Sequence, residues 1–224
     1  MRIISTYTCS FIFLFNFFLA SDLVFASIND QNIYDIDNQT YVQSVQGRKM
    51  KMTKGHVRYN RAQENTPEFH FYGVQSENRR FDMESGKLQA TKGKLEKTVF
   101  NHQDGDLDLD EFNVFDASRF DMDNGVFNSK TFNLIQSQAN FRGGVIRVPS
   151  MSIEVGGLLE VSGNADVSFN RLLMVSGNVK TKGGIIKTHF MEMKEKGQLT
   201  IDKGEFHSDD LIMTDAQLDS TGGK

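Results

Sequence analysis

The chain has 224 residues, of which 38% are hydrophobic and 24% charged, and carries a formal net charge of −4. These proportions exclude a disordered chain and set the expectation of one globular domain. The slight acidity also argues against a nucleic-acid binder, which would need a basic face strong enough to outweigh it.

The first 26 residues differ from everything that follows. Arg2 precedes a Phe-rich apolar run from Cys9 to Ala20, and Val24-Phe25-Ala26 places small residues three before and one before Ser27. That is the pattern of an export signal cut after Ala26, which would leave a periplasmic protein. The alternative is an uncleaved inner-membrane anchor over residues 3–20, close in length to a spanning helix but interrupted by Thr6, Thr8, Ser10 and Asn16. Cys9, the only cysteine, lies in this segment, so the remainder has neither disulfides nor thiol chemistry.

Residues 27–46 form a polar lead-in, rich in Asn, Asp and Gln. From Gly47 onward apolar and polar residues alternate, as in Met50 and Met52 between Lys49, Lys51 and Thr53, or Phe69 and Phe71 around His70. A period of two is the signature of half-buried strands. The early strands are basic (Arg48, Lys49, Lys51, Lys54, Arg58, Arg61), a pattern of solvated faces that also offers a rim for phosphates or an acidic partner.

The organising pattern is a nine-residue stretch that occurs twice, RFDMESGKL at 80–88 and RFDMDNGVF at 119–127, 39 residues apart. In each, Phe and Met share one face and acids the other, and the Ser85-Gly86 or Asn124-Gly125 step supplies the positive φ of a tight turn. This predicts strand, hairpin turn, strand. A looser copy runs FMEMKEKGQL at 190–199, and VSGN recurs at 161–164 and 175–178, 14 residues apart. Spacings of 39 and 14 share no single rung length, which favours stacked hairpins over the rungs of a solenoid.

Between the copies, DGDLDLDE at 104–111 imitates a calcium loop, but Leu109 stands where the turn glycine belongs and Phe115 where the bidentate Glu belongs. It reads as an acidic strand, and no metal ligands are nominated. After the second copy, turn glycines recur every 8 to 14 residues up to Leu218, with residues 219–224 as a flexible tail. The five histidines (His56, His70, His102, His189, His207) are scattered and read as surface residues. No nucleophile elbow, phosphate loop or dinucleotide fingerprint is present, so the sequence nominates no catalytic residues and no cofactor.

The strand-turn-strand units RFDMESGKLQA and RFDMDNGVFNS, the steps VSGNA at 161–165 and VSGNV at 175–179, and the order of parts resemble the periplasmic β-jellyroll family of lipopolysaccharide transport, LptC and LptA (OstA-like). The resemblance covers residues 47–218 and implies an all-β fold, an elongated antiparallel β-jellyroll of many short strands. It implies a non-enzymatic carrier that holds the acyl chains of lipopolysaccharide in its groove and passes them along the Lpt bridge. The implied partners are lipopolysaccharide, the inner-membrane ABC transporter and neighbouring β-jellyroll proteins joined through edge strands. The chain has 19 Phe, 10 Met and no Trp, and adaptable Met-rich faces suit flexible apolar ligands as well as they suit cores. The candidate lipid-binding residues are therefore the inward members of the repeats: Phe81, Met83, Leu88, Phe120, Met122, Phe127, Met191 and Met193. The alternative is an exported structural or adhesive repeat β protein, a β-solenoid or surface subunit without lipid cargo.

Overall fold

Alternation is realised as strand throughout, but the strands do not fold back on one another. The computed structural model describes residues 81–223 with their side chains. Ahead of them it describes the backbone of the strands Ala26–Ile28, Ile33–Asp37, Tyr41–Ser44, Lys49–Met52, His56–Asn60, Glu68–Tyr72 and the start of Arg80–Met83. The export-signal and anchor expectations fall outside the described residues. No helix occurs among the described residues, and therefore none long and apolar enough to cross a membrane.

The unit is a coil of one short strand, a glycine corner, one long strand and a second corner. Short strands (Arg80–Met83, Val99–His102, Arg119–Met122, Gln138–Phe141, Leu158–Val161) alternate with ten-residue strands (Lys87–Glu96, Asp106–Phe115, Val126–Ile135, Val145–Glu154, Asp166–Val175). In the last two full coils both parts run together as Asn178–Lys194 and Gln198–Thr214, and Gln217–Ser220 begins one more. Each strand pairs in parallel with its counterpart in the next coil: Arg80 with Val99, Val99 with Arg119, Arg119 with Gln138. The result is a parallel β-solenoid of about seven turns, and the strands before Arg80 pair in parallel in the same columns.

The antiparallel jellyroll, and with it the hairpin reading of the repeats, is overturned. Ser85-Gly86 and Asn124-Gly125 are corners around which the chain continues, and the strands on either side pair with the coils above and below. The 39-residue spacing is two coils, because Arg80, Val99 and Arg119 stack in one column. The 14-residue spacing joins two parts of a single coil, since Leu159 lies in a short strand and Leu173 in the following long one. FMEMKEKGQL begins in the second half of a long strand, stacked on Arg171 to Met174, and is no register equivalent of RFDM. A three-residue glycine turn looks the same in sequence whether it closes a hairpin or rounds a solenoid corner. The difference lies in pairing partners 19 to 21 residues away.

Every long strand bends at its middle. In Lys87–Glu96 and Asp106–Phe115 the second, fourth, seventh and ninth residues are buried, so the alternation slips by one and two successive side chains point out. The coil thus has three inward-facing runs of two residues each. At the slip the residue between Leu109 and Glu111, and the residue opposite it between Ser129 and Thr131, drop out of the pairing register. Where the fourth residue carries a hydroxyl it bridges the bend: Ser129 Oγ donates to the Thr131 carbonyl at 2.7 Å, and Thr188 Oγ1 to that of Phe190 at 3.0 Å. Pro149 occupies the same bend, which suits a residue with no N–H to give a ladder.

The corner after each short strand is a glycine ladder. Gly105, Gly125, Gly144 and Gly204 all have positive φ, between 83° and 97°, and a Cβ on any of them would press on a backbone carbonyl of the preceding coil. The interior is filled by stacked columns. Phe81, Phe100 and Phe120 follow one another at 4.8 and 5.3 Å between ring centroids, and Phe112 stacks on Phe132 at 5.4 Å. Sizes compensate between neighbours: Gly93 stands where a Cβ would meet the Phe112 ring. Burying each such Phe contributes roughly 1.5–3 kcal/mol.

Candidate functional site

All eight candidate lipid-binding residues lie in this interior, none more than 2% exposed. Phe81, Met83, Phe120 and Met122 come from short strands, Leu88 and Phe127 from the first halves of long strands, and Met191 and Met193 from a second half. The fold brings Phe120 and Phe127 together at 5.2 Å, whereas Met191 and Met193 lie coils away, stacked on Leu172 and Met174. In this conformation their neighbours are one another's side chains.

One inner column holds polar members. His102 stacks between Met83 and Met122, fully buried, which corrects its assignment to the surface. Its Nε2 lies 3.1 Å from the Gly105 carbonyl, so the neutral ring with its proton on Nε2 satisfies that contact and leaves Nδ1 with no partner. Burial pushes the imidazole pKa down to about 4, against the raising influence of the Gly105 carbonyl and the Asp104 charge. Thr181, further along the same column, also has a buried hydroxyl without a partner. The alternation in VFNH, with Phe100 and His102 on one face, was the available signal for this burial.

The outer faces are ladders of amides and ion pairs that tie one coil to the next. Asn101 donates to Asp82 and Asn140 to Asp121, both at 2.6 Å, and Asn133 donates to Asn113 at 2.7 Å. The acidic coil of residues 98–116, which contains DGDLDLDE and no Lys or Arg, is neutralised from both sides. Lys87 meets Asp108 at 2.8 Å, Lys92 meets Glu111 at 3.5 Å, and Lys130 meets Asp110 at 2.8 Å. Partial burial raises the Asp108 pKa, but hydrogen bonds from Lys87, Asn128 and Gln89 outweigh it and hold the carboxyl below its usual value. Among the described residues no three His, Cys, Asp or Glu side chains converge as a metal site.

Two open depressions lie among the described residues. One, of about 440 Å³, lies over the corners between long and short strands, where Ser118, Arg119, Gln136 and Gln138 face Val99 and Leu158. The other, of about 460 Å³, lies where Ser168, Asn170, Lys187, His189, His207 and Asp209 meet. Here each basic side chain already has a carboxylate neighbour: Lys187 with Asp166 at 3.0 Å, His189 with Asp209 at 2.6 Å, and His207 with Glu205 at 3.0 Å. Neither depression assembles a nucleophile, a general base and an oxyanion site.

The other exposed feature is the last coil. The run 205–214 and the strand Gln217–Ser220 pair on one side only. Leu211, Met213 and Leu218, which continue the inner columns of Met191, Met193 and Leu199, are 41%, 39% and 44% exposed. Comparison with protein-family models, curated proteins and solved structures finds no match to this chain, so no family places these surfaces.

Proposed function

We propose that this is a non-catalytic, exported structural or adhesive protein, a β-solenoid rod that works through its outer faces and ends and carries no lipid. The observation that supports this best is the filled interior. The inner columns of coils 81–201 are buried to the last few per cent, and protein interiors packed in this way leave no acyl-sized space. A lipid carrier on this scaffold would have to separate columns that hold the fold together. A rod needs nothing to move: its coils are stitched by backbone ladders, amide stacks and ion pairs, and its faces repeat at the spacing of about 4.8 Å between strands.

Site-specific photocrosslinking in Gram-negative cells tests the proposal, with the photoreactive residue at Phe120 or Met191 inside and at Gln138 or Lys130 outside. The expected result is no lipopolysaccharide adduct at the inner sites of folded protein, and protein adducts, where they form, at the outer ones. A lipopolysaccharide adduct confined to Phe120 and Met191 would overturn the rod and restore the carrier.

A further inference from the structure

The corners that lead from a long strand into the next short one alternate in length. Lys97-Thr98, Gln136-Ser137 and Ser176-Gly177 have two residues, whereas Asp116-Ala117-Ser118, Val155-Gly156-Gly157 and Glu195-Lys196-Gly197, in the coils between, have three. A short corner holds one residue at positive φ and a long corner two in succession, so the extra residue goes into a wider turn. Both of these residues are exposed in every long corner. This edge of the solenoid is therefore notched, with a projection in every second coil and a period of two strand spacings, about 9.6 Å.

The depression of about 440 Å³ is one such notch, with Ala117 and Gly156 as walls, Gln136 and Ser137 as floor, and Val99 and Leu158 beside them. Its frame is firmly held. The Ala117 N–H donates to the Gln136 carbonyl at 3.0 Å, the Gly156 N–H to the Ser176 carbonyl at 2.8 Å, and Ser137 Oγ accepts from the Ser118 N–H at 3.1 Å. On the middle projection stands Val155, 54% exposed, the one large hydrophobic so exposed among the described residues outside the last coil. It is also β-branched at a φ of 45°, a strained setting for such a side chain. Strain combined with exposed apolar surface points to a contact outside the coil.

We propose that this edge is a self-complementary interface at which a second copy of the chain docks antiparallel, each projection of one copy entering a notch of the other. A two-fold axis between the Gln136 and Val155 corners places Val155 of each copy in the notch of the other, against Val99, Ala117 and Leu158. The same rotation sets Asp116-Ala117 over Ser176 and Glu195-Lys196 over Lys97, so projections meet notches all along the edge, as an isologous contact requires. Charge agrees with shape. The three middle corners carry no charge, while at each end Glu195 meets Lys97 and Lys196 lies one strand spacing from Asp116. Lys97 is already 4.0 Å from Asp116 within one chain, so each end closes as an alternating cluster of four charges. Moving the axis one coil on would set Asp116 against Asp215, and like charges work against pairing. The proposal deepens the reading as a rod that works through its outer faces, yet it fails separately, because a monomeric chain would still be a rod with a filled interior.

The test uses the full chain with Cys9→Ser as background. Sedimentation velocity over a concentration series should show a reversible monomer–dimer equilibrium. Val155→Asn should raise the dimer Kd at least about tenfold while leaving the dilute monomer at least as resistant to urea, since Asn accepts this φ better than Val does. A Val155 that serves only its own coil would give the reverse, a lower urea midpoint and an unchanged equilibrium. In Ala117→Cys/Ser176→Cys the thiols lie three coils apart in one chain, about 14 Å, too far for an internal disulfide, but they oppose each other across the two-fold axis. Mild oxidation should convert this variant to a covalent dimer and leave Ala117→Cys alone uncrosslinked. A chain that stays monomeric, a dimer indifferent to Val155→Asn, or paired cysteines that crosslink no better than the single one would each overturn the proposal.

Discussion

At His102 the interior holds a titratable ring that must stay neutral to remain folded. Its pKa is about 4 in the folded chain against an ordinary value of 6.5, so the unfolded state takes up the proton first as pH falls. The stability this permits is complete above pH 6.5 and is lost progressively between pH 6.5 and 4, by on the order of 3 kcal/mol. Urea titrations at pH 7.0 and 4.5 should show that loss in the wild type and a much smaller one in His102→Met, which continues the column of Met83 and Met122. An equal acid loss in both proteins would remove the ring as the cause. At Phe120, packed against Phe100, Phe112, Phe127 and Phe141, truncation to Ala should cost roughly 3–5 kcal/mol. The same titrations would read this as a lowered urea midpoint with little change in slope.

The corner is the element on which the coil depends, and its glycines are not equivalent. Gly125 combines a φ of 87° with a Cβ position that collides with the Gly105 backbone, whereas Gly156 has a φ of 77° with open space around it. Gly156→Ala should cost only the backbone term, about 1 kcal/mol, while Gly125→Ala should cost at least twice that, because the neighbouring coil must also shift. Thermal melts of the two variants separate strain from collision. This distinction also marks how far the sequence could be read. Alternation identified strands and their apolar faces, and the inward side of RFDM and of LDL was visible in Phe81, Met83, Leu107 and Leu109. Direction was not visible, since Ser85-Gly86 fits a hairpin and a corner equally well. The coil length was hidden because its clearest repeat recurs in every second coil: Val99-Phe100-Asn101-His102 occupies the same place as RFDM while sharing only Phe100. The bend within each long strand was hidden too, as the slip at Asp110 and Glu111 leaves two polar neighbours that look like any solvated pair. The open last edge had no local signal, because Leu211 and Met213 alternate as buried residues do.

For the molecule as a whole, stability is shared between nearest neighbours. Each coil touches the one before and the one after, and the columns supply no longer-range closure. Melting should therefore begin at the end where Leu211, Met213 and Leu218 lack cover, and hydrogen exchange should find amides of residues 205–220 less protected than those of residues 106–154. Uniform protection along the chain would argue that the ends are held by something other than neighbouring coils.

The register between coils also gives the molecule a unit of length. Arg119 stacks directly on Gln138 in the same column, so residues 119–137 make one full circuit and return the chain to its starting position, displaced by a single strand spacing. Three extra copies of that segment, inserted after residue 137, should lengthen the rod by about 14 Å while leaving every corner glycine above another. An insertion of half the segment would place corners over strands and dissolve the stack. Such a protein can change its reach by gene duplication without changing its cross-section, and distance is a property that selection can adjust here in whole steps.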